Sequence, residues 1–187
     1  MTVAVLLLAL LPSAGCEPSK KHVESASPAA ITSTDTANAT TAPPPNVQAW
    51  MDRLTVAHAY DPTTGFIVAR EVVALPPLLA EAPPLDAAIA QAGSERTVIA
   101  FVTADRCAPC QQYKRDALND AGVLARLANA RLMPTHLEID RSPALADAYL
   151  GARSIPMTYA LRDGKVIAAL RGQRTAADLS NWLDSLP

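Results

Sequence analysis

Two cysteines separated by two residues stand at the centre of the stretch TVIAFVTADRCAPCQQYKRDAL, residues 97–118. Cys107 and Cys110 follow an apolar, β-branched run that is typical of a buried strand, and they open a polar run that is typical of a helix. The start of a helix has unpaired backbone N–H groups and partial positive charge, which together stabilise a thiolate. The pattern therefore predicts a reversible dithiol in which Cys107 is the nucleophile and Cys110 is the more buried, resolving thiol.

The residues around this pair have expected roles of their own. Pro109 falls in the first turn of the predicted helix, where its missing N–H costs little, and it stiffens the turn between the sulfurs. Arg106 adds positive charge beside the first sulfur and is expected to face an incoming substrate. We predict that Arg106, Ala108 and Pro109 contact the substrate. Tyr113 and Lys114, further along the helix, are predicted to be surface residues rather than catalytic ones.

Other interpretations of the cysteine pair stay open at this point. A zinc site needs two further ligands, and the chain offers only His22, His58 and His136 and no second cysteine pair. A structural disulfide across so short a loop would stabilise little, and a non-catalytic interaction module is the main alternative to an enzyme. His58 is predicted to be a partly exposed helix residue. We predict neither a metal nor an organic cofactor.

The C-terminal part of the chain predicts the elements that must position the dithiol. Strands separated by helices imply parallel pairing, and two final strands imply an antiparallel hairpin, so the fold class is α/β with a mixed sheet flanked by helices. The pattern predicts these elements in order: a helix LDAAIAQAG closed by Gly93, a strand RTVIAFVTA, helices CQQYKRDALND and AGVLARLANA, an extended RLMPTHLEID in which Pro134 marks an edge or a bulge, a helix SPALADAYLG capped by Ser142, a hairpin around Asp163, and a helix TAADLSNWLDSL capped by Thr175.

The order of these elements, the CAPC motif and the later SIPMTYALRDGKVIAALRG hairpin resemble the thioredoxin fold over residues 84–187. ADRCAPC followed by a charged helix is most similar to the C-terminal periplasmic domain of DsbD-type thiol:disulfide interchange proteins. The resemblance implies an oxidoreductase, more a reductase than an oxidase, that acts on protein disulfides and exchanges electrons with a partner thiol protein. It also implies that Pro156 is part of the catalytic set with a cis peptide bond beside the dithiol, and that the backbone of Ile155 pairs with substrate.

Three positions depart from the family pattern. Arg106 stands where a tryptophan is usual, and Ala108 stands where a glycine is usual. The buried acid that the family carries six residues before the first cysteine would fall on Phe101, which has no proton-accepting group. We therefore expect water or another group, Glu138 or Asp140, to accept the proton of the buried thiol.

The N-terminus has the pattern of an export signal. Val3 to Leu11 is an apolar run of nine residues, too short to span a bilayer as a helix, and small residues and Cys16 follow it. This pattern resembles the lipobox of bacterial lipoproteins. The resemblance implies a signal peptide over residues 1–15, a lipid on Cys16, and anchoring to a membrane of the cell envelope, facing the periplasm or the exterior. An ordinary cleaved signal and a buried apolar helix are the alternatives.

After the signal peptide, composition divides the chain into a tether, an N-terminal extension and the thioredoxin-like domain. Residues 16–46 are rich in Ser, Thr, Ala and Pro and have hardly any large apolar residue, so we predict a disordered tether. Residues 47–83 form an N-terminal extension, apolar enough to pack on the domain at 84–187, with no predicted role. A net charge of −2 without a basic block disfavours nucleic acid as a partner. With Cys16 lipidated, the remaining cysteines form one pair in an oxidising compartment.

Overall fold

A computed structural model describes residues 42–151 and 154–187. The predicted signal peptide, the lipidation site Cys16 and all but the end of the predicted tether lie outside the described residues, so these predictions stay open. The described residues all belong to one compact unit, residues 39–187. Within them, no helix has the length and apolar character that crossing a membrane requires.

The N-terminal extension is a folded segment ahead of the sheet domain. It contains helix α1 (Pro45–Met51), a two-stranded antiparallel hairpin of β1 (His58–Asp61) and β2 (Phe66–Ala69), and a short helix α2 (Pro77–Ala80). Helix α2 begins with prolines, which leave no N–H unpaired at the start of a helix.

The prediction that His58 lies in a helix is wrong. Helix α1 ends at Met51, and beyond it Leu54 and Val56 are buried while their neighbours are exposed. This alternation is the period of a strand, and it places His58 in β1, opposite Ala69 of β2. The neighbouring FIVAREVVAL segment is a strand only over its first four residues.

The C-terminal part contains the predicted series of helices and strands, with the bounds α3 (Leu85–Ala92), β3 (Thr97–Thr103), α4 (Ala108–Tyr113), α5 (Ala121–Leu127), β4 (Leu132–Glu138), α6 (Pro143–Tyr149), β5 (Met157–Arg162), β6 (Lys165–Arg171) and α7 (Ala176–Asp184). Helix α4 continues into a π-helical turn, Lys114–Leu118, before α5 begins. The sheet has the strand order β4-β3-β5-β6. The mixed α/β fold is therefore confirmed, and Pro134 lies in an edge strand as predicted.

The pairing of the strands differs from the prediction at one place. β3 and β4 are parallel, whereas β5 lies antiparallel beside β3 although helix α6 separates it from β4. The reason is that β5 starts, at Met157 opposite Val102, on the same end of the sheet where β4 stops, so α6 does not return the chain along the sheet. The β5–β6 hairpin turns at Asp163 and Gly164, whose positive φ values of 52° and 71° suit a tight two-residue turn.

The core has two layers, one on each face of the sheet. The central strand β3 is buried along all seven residues, and its side chains alternate between the faces. Val98, Ala100 and Val102 face the layer that contains α3 and α6, whereas Ile99 and Phe101 face the layer that contains α4 and α7. The second layer is the one that carries the cysteine pair.

Candidate active site

The cysteine pair lies at the start of helix α4, directly after strand β3. Cys107 is the residue that caps the helix, and its Sγ accepts a hydrogen bond from the backbone N–H of Cys110 at 3.2 Å. The two sulfurs are joined in a disulfide, with 5.2 Å between the Cα atoms. Cys107 is 9 % exposed and Cys110 is 0 % exposed. The predicted order of accessibility is therefore confirmed, and a helix N-terminus faces the sulfur of Cys107.

Two isoleucines from distant parts of the chain pack beside this disulfide. Ile139, after strand β4, and Ile155, before strand β5, pack against the two cysteines. The peptide bond between Ile155 and Pro156 is cis, as the resemblance implied. The structure thus brings together Cys107, Cys110 and Ile155, as the sequence predicted.

Arg106 is exposed at the surface but its charge is paired. Its Nε and Nη2 donate to the two carboxylate oxygens of Asp140 at 2.7 and 2.8 Å, and both side chains are about half exposed. A bidentate pair of this kind holds both groups in a fixed geometry. The positive charge of Arg106 beside the disulfide is therefore largely compensated. Both carboxylate oxygens of Asp140 are used in this surface pair.

Three predictions about helix α4 are corrected by its burial. Ala108 was predicted to contact substrate, yet it is 0 % exposed beneath Ile67 of the extension. Tyr113 and Lys114 were predicted on the surface, yet they are 1 % and 2 % exposed. The extension covers Ala108, whereas Tyr113 faces the sheet, where its ring lies near that of Phe101, and Lys114 pairs with Asp105.

The two residues that were wrongly placed on the surface are held by buried polar partners. Tyr113 forms a hydrogen bond between its hydroxyl and that of Thr158 at 2.9 Å, and burial raises the pKa of Tyr113 well above its usual range. Lys114 lies one helical turn after Cys110 and donates from Nζ to Asp105 at 3.0 Å. Hence Lys114 places a buried positive charge on the helix face that carries the inner sulfur.

A polar cluster lies on the same face of the sheet, at the ends of β3 and β4. Thr103 and His136 share a hydrogen bond of 2.8 Å, and Asp105 is paired with Lys114 and with Arg141. Burial, with the positive charge of Lys114 as a second cause, lowers the pKa of His136 to about 4. His136 is therefore neutral near pH 7 and carries no charge into this cluster.

Glu138, at the end of β4, is the buried carboxylate of this cluster. It is 9 % exposed, and the alternation along β4 places it on the face of His136. In the chain it directly precedes Ile139, which packs against the cysteines. Burial and then the negative charge of Asp105 raise its pKa above the ordinary glutamate value. Its Oε2 atom is buried without a hydrogen-bond partner. Of the two acids proposed from the sequence, only Glu138 is thus buried and unpaired at one oxygen.

Phe101, the position of the missing acid, is part of the apolar core. It is 0 % exposed and its ring lies 6.5 Å from that of Tyr113. A carboxylate at this position would be buried among apolar groups. Glu138, the buried acid of the described residues, lies instead on the neighbouring strand β4.

Gln111 joins the N-terminal extension to the active-site loop. Its side-chain carbonyl accepts the backbone N–H of Val73 at 2.8 Å. Its amide donates to the carbonyls of Ala104 and Asp105 at 3.2 and 3.0 Å. This fully buried side chain thus satisfies backbone groups on both sides of helix α4.

Gln112, the next residue, binds a second part of the extension. Its carbonyl accepts the backbone N–H groups of Thr55 and Val56 at 2.9 and 3.3 Å, and its amide donates to Asp116. Sequence reasoning missed both glutamines. The sequence signal that could have identified them is two adjacent amide side chains in a helix that has neighbours on both sides.

Strand β2 of the extension pairs directly with the loop that carries the first cysteine. The backbone N–H of Ala69 donates to the carbonyl of Arg106 at 2.8 Å, and Val68 lies opposite Cys107 in an antiparallel bridge. A cavity of about 550 Å³ opens beside this contact. Its walls include Val47, Trp50, Phe66, Cys107, Pro109 and Ile155.

Among the described residues, no group of three or more His, Cys, Asp and Glu side chains is placed to hold a metal ion. In the disulfide the two cysteine sulfurs are bonded to each other. The arrangement can instead carry out thiol–disulfide exchange, because an accessible sulfur at a helix N-terminus has a buried partner within bonding distance.

Comparison with known proteins bears on this arrangement. A search of curated proteins gave no match. Solved structures with similarity include a thioredoxin from Thermus thermophilus, 27% identical over 54% of this chain and 82% of that one, with a TM-score of 0.47. A mutant thioredoxin from Halobacterium salinarum is 26% identical over 49% and 76%, with a TM-score of 0.40. The germline-specific thioredoxin Deadhead from Drosophila melanogaster is 22% identical over 55% and 90%, with a TM-score of 0.44.

The profile of one protein family, described as a thioredoxin-like domain, matches residues 84–187. The match covers more than half of the chain and spans α3 to α7, the whole four-stranded sheet and both cysteines. The N-terminal extension lies outside it. The chain therefore belongs to the thioredoxin-like domain family.

Proposed function

We propose that the protein is an exported thiol:disulfide oxidoreductase that reduces disulfides in other proteins. The observation that carries this proposal is the pairing of an accessible sulfur, Cys107, at a helix N-terminus with a fully buried one, Cys110. The positive end of the helix stabilises the thiolate of Cys107 and so favours attack on an external disulfide. The resemblance to DsbD-type domains, which the sequence suggested, supports the reductase direction.

The proposed reaction uses the reduced protein. The Cys107 thiolate attacks one sulfur of the substrate disulfide, the substrate S–S bond breaks, and the second substrate sulfur leaves as a thiolate that takes up a proton. Cys110 then loses its proton and attacks the Cys107 sulfur of the mixed disulfide, which releases the first substrate sulfur as a thiol. The substrate gains two electrons and two protons, and the Cys107–Cys110 disulfide forms. A partner dithiol protein then reduces this disulfide by the reverse exchange.

We propose Glu138 as the group that takes the proton from Cys110. It is a buried carboxylate whose neighbour in the chain, Ile139, packs on the cysteines, and one oxygen has no partner. Its raised pKa makes it a stronger base than an exposed glutamate. Asp140 is the weaker candidate because both of its oxygens accept from Arg106.

A redox titration tests the proposed direction. After equilibration of the full chain with glutathione, we expect a midpoint potential for the Cys107–Cys110 pair below about −200 mV, nearer to reducing thioredoxins than to strong oxidants at about −120 mV. The dithiol form should also reduce a protein disulfide, and a variant with both cysteines replaced by alanine should not. A potential above about −150 mV would contradict the reductase direction. Full partner binding without any exchange activity would favour an interaction module instead.

We also propose that Cys16 is lipidated and anchors the protein to a membrane of the cell envelope. The proposal is supported by the apolar run and small residues before Cys16 and by the Ser- and Pro-rich stretch after it. Cys16→Ser should move most of the protein from the membrane to the soluble fraction, because a cysteine thioether to lipid cannot form. Fractionation and detergent-phase partitioning of both forms measure this. Unchanged partitioning of the variant would show that the anchor, if any, lies elsewhere.

A further inference from the structure

The cavity beside the disulfide is built jointly by two parts of the chain. Pro109 and Ile155 line it from the family domain, with Cys107 at its wall. Helix α1 contributes Val47 and Trp50, and the β1–β2 hairpin contributes residues 65–68. The extension lies outside the region that the family profile matches, so this wall is a feature of this chain rather than of the shared domain.

The wall from the extension is fixed in place at the reactive sulfur. The bridge between Val68 and Cys107 and the bond from Ala69 to Arg106 tie strand β2 to the active-site loop. Ile67 packs with Ala108 beneath this contact. A substrate that reaches the Cys107 sulfur must therefore lie against the extension as well.

The wall is apolar and carries unusually exposed aromatic side chains. Trp50 is 41 % exposed and Phe66 is 58 % exposed, although each is large and apolar. Exposed apolar groups clustered at one place are typical of an interaction site. Here the exposed cluster is continuous with the proposed redox site. The molecule that binds there must therefore contain a sulfur that can react with Cys107.

The charge around the cavity further limits which groups can bind in it. Among the residues that the structure describes, the charged one that lines this cavity is Arg106, and Asp140 already compensates it through two hydrogen bonds. A charged group in the occupant would lose hydration against this apolar wall and would gain no unpaired opposite charge from the described lining residues. This environment disfavours glutathione, which is anionic, and favours uncharged apolar residues. A volume of about 550 Å³ accommodates several side chains of an extended polypeptide.

We propose that this groove binds an extended, cysteine-bearing segment of the substrate protein whose residues beside the cysteine are apolar and uncharged. In this assignment Trp50 of α1 and Phe66 of the hairpin determine the preference, and the N-terminal extension is the specificity element of the protein. The inference rests on the proposed function, since it assigns the substrate class of the same dithiol.

The test compares three disulfides with the full chain in its reduced form. The first is a peptide disulfide with leucine and valine beside the cysteine, and the second is the same peptide with aspartates in those places. The third is bis(2-hydroxyethyl) disulfide, which has no side chains to place against Trp50 and Phe66. Wild type should prefer the apolar peptide over the acidic one. In Trp50→Ser/Phe66→Ser, kcat/KM for the apolar peptide relative to the small disulfide should fall about tenfold, the scale expected when two aromatic contacts are lost.

Two further variants separate specificity from folding. Ile167→Ser, on the edge strand β6, removes an apolar residue of comparable exposure, 43 %, that does not line the groove, and should leave the three rates unchanged. Phe66→Lys should invert the preference, so that the acidic peptide becomes the better substrate. Such an inversion cannot arise from a merely destabilised protein.

Each outcome decides one claim. If wild type reduces the small disulfide but does not distinguish the peptides, or if Trp50→Ser/Phe66→Ser lowers the three rates equally, the specificity wall is refuted while the proposed function stands. If wild type reduces none of the three although both cysteines are free thiols, the proposed function fails, and the inference fails with it.

Discussion

Cys110→Ser is expected to trap substrate proteins as mixed disulfides, whereas Cys107→Ser is expected to trap almost none. The reason is the asymmetry of the pair: Cys107 is the sulfur that solvent reaches, and Cys110 is fully buried and can attack only a disulfide already formed on Cys107. Both variants should lose reductase activity to the background rate. Non-reducing gels of each variant, after exposure to a protein extract from its own compartment, measure the trapped complexes.

Alkylation of the reduced protein tests the same asymmetry independently. At pH near 7, iodoacetamide should modify Cys107 at least about tenfold faster than Cys110, because a helix N-terminus lowers the pKa of a thiol and raises its thiolate fraction. Peptide mapping of the two sites gives the rates. Faster modification of Cys110, or equal trapping by the two serine variants, would contradict these roles and would support a structural disulfide.

Glu138→Gln is expected to slow the resolving step about 100-fold, the lower end of what a positioned general base contributes. The glutamine keeps the size of the side chain but cannot accept the proton of Cys110. In wild type the rate of resolution should rise with pH through the raised pKa of Glu138. In the variant it should rise only through the pKa of Cys110 itself. Stopped-flow decay of a preformed mixed disulfide on Cys107, followed across pH, measures both profiles.

A stability measurement separates this role from a structural one. The folded-state pKa of Glu138 is raised, so the folded protein binds more protons than the unfolded chain between the two pKa values. Stability from this group is therefore present at low pH and is lost as pH rises through the folded-state pKa. Glu138→Gln should remove that loss and unfold at a higher denaturant concentration at pH 7. A variant that is both slower and less stable would indicate that Glu138 only supports the fold.

Asp140→Asn is the matched control for this experiment. Asp140 was the second acid suggested from the sequence, but it lies on the surface and pairs with Arg106. An exposed pair of this kind contributes little to stability. We therefore expect the pH profile of the resolving step to keep the wild-type shape in this variant.

The sequence predicted the sheet domain well because its signals were local. The β-branched run that became β3, the Asp163-Gly164 turn and the capping Thr175 each specify their own conformation, and each lies where it was predicted. The antiparallel entry of β5 was missed because it depends on where helix α6 packs. No local pattern encodes that position.

The site was predicted only where it is formed by residues near the cysteines. Cys107, Cys110 and Pro109 lie at the helix start as expected. The burial of Ala108 was not predicted, because it depends on contact with Ile67, more than thirty positions away. That of Lys114 was not predicted, because it depends on how the loop with Asp105 folds back against the helix. Periodicity within one helix does not tell which of its faces a distant segment covers.

The hydrogen bonds between the extension and the side chains of Gln111 and Gln112 indicate where the cooperatively folding unit begins. The homologous region starts at residue 84, yet a fragment cut there would lose the partners of both amide carbonyls. Removal of the extension would also uncover apolar groups that it buries, such as Ala108 beneath Ile67, and loss of buried apolar surface destabilises a fold by about 25 cal/mol per Å². For expression, transplantation or fusion, we therefore expect the smallest autonomous piece of this protein to start near Pro45 rather than at the family boundary.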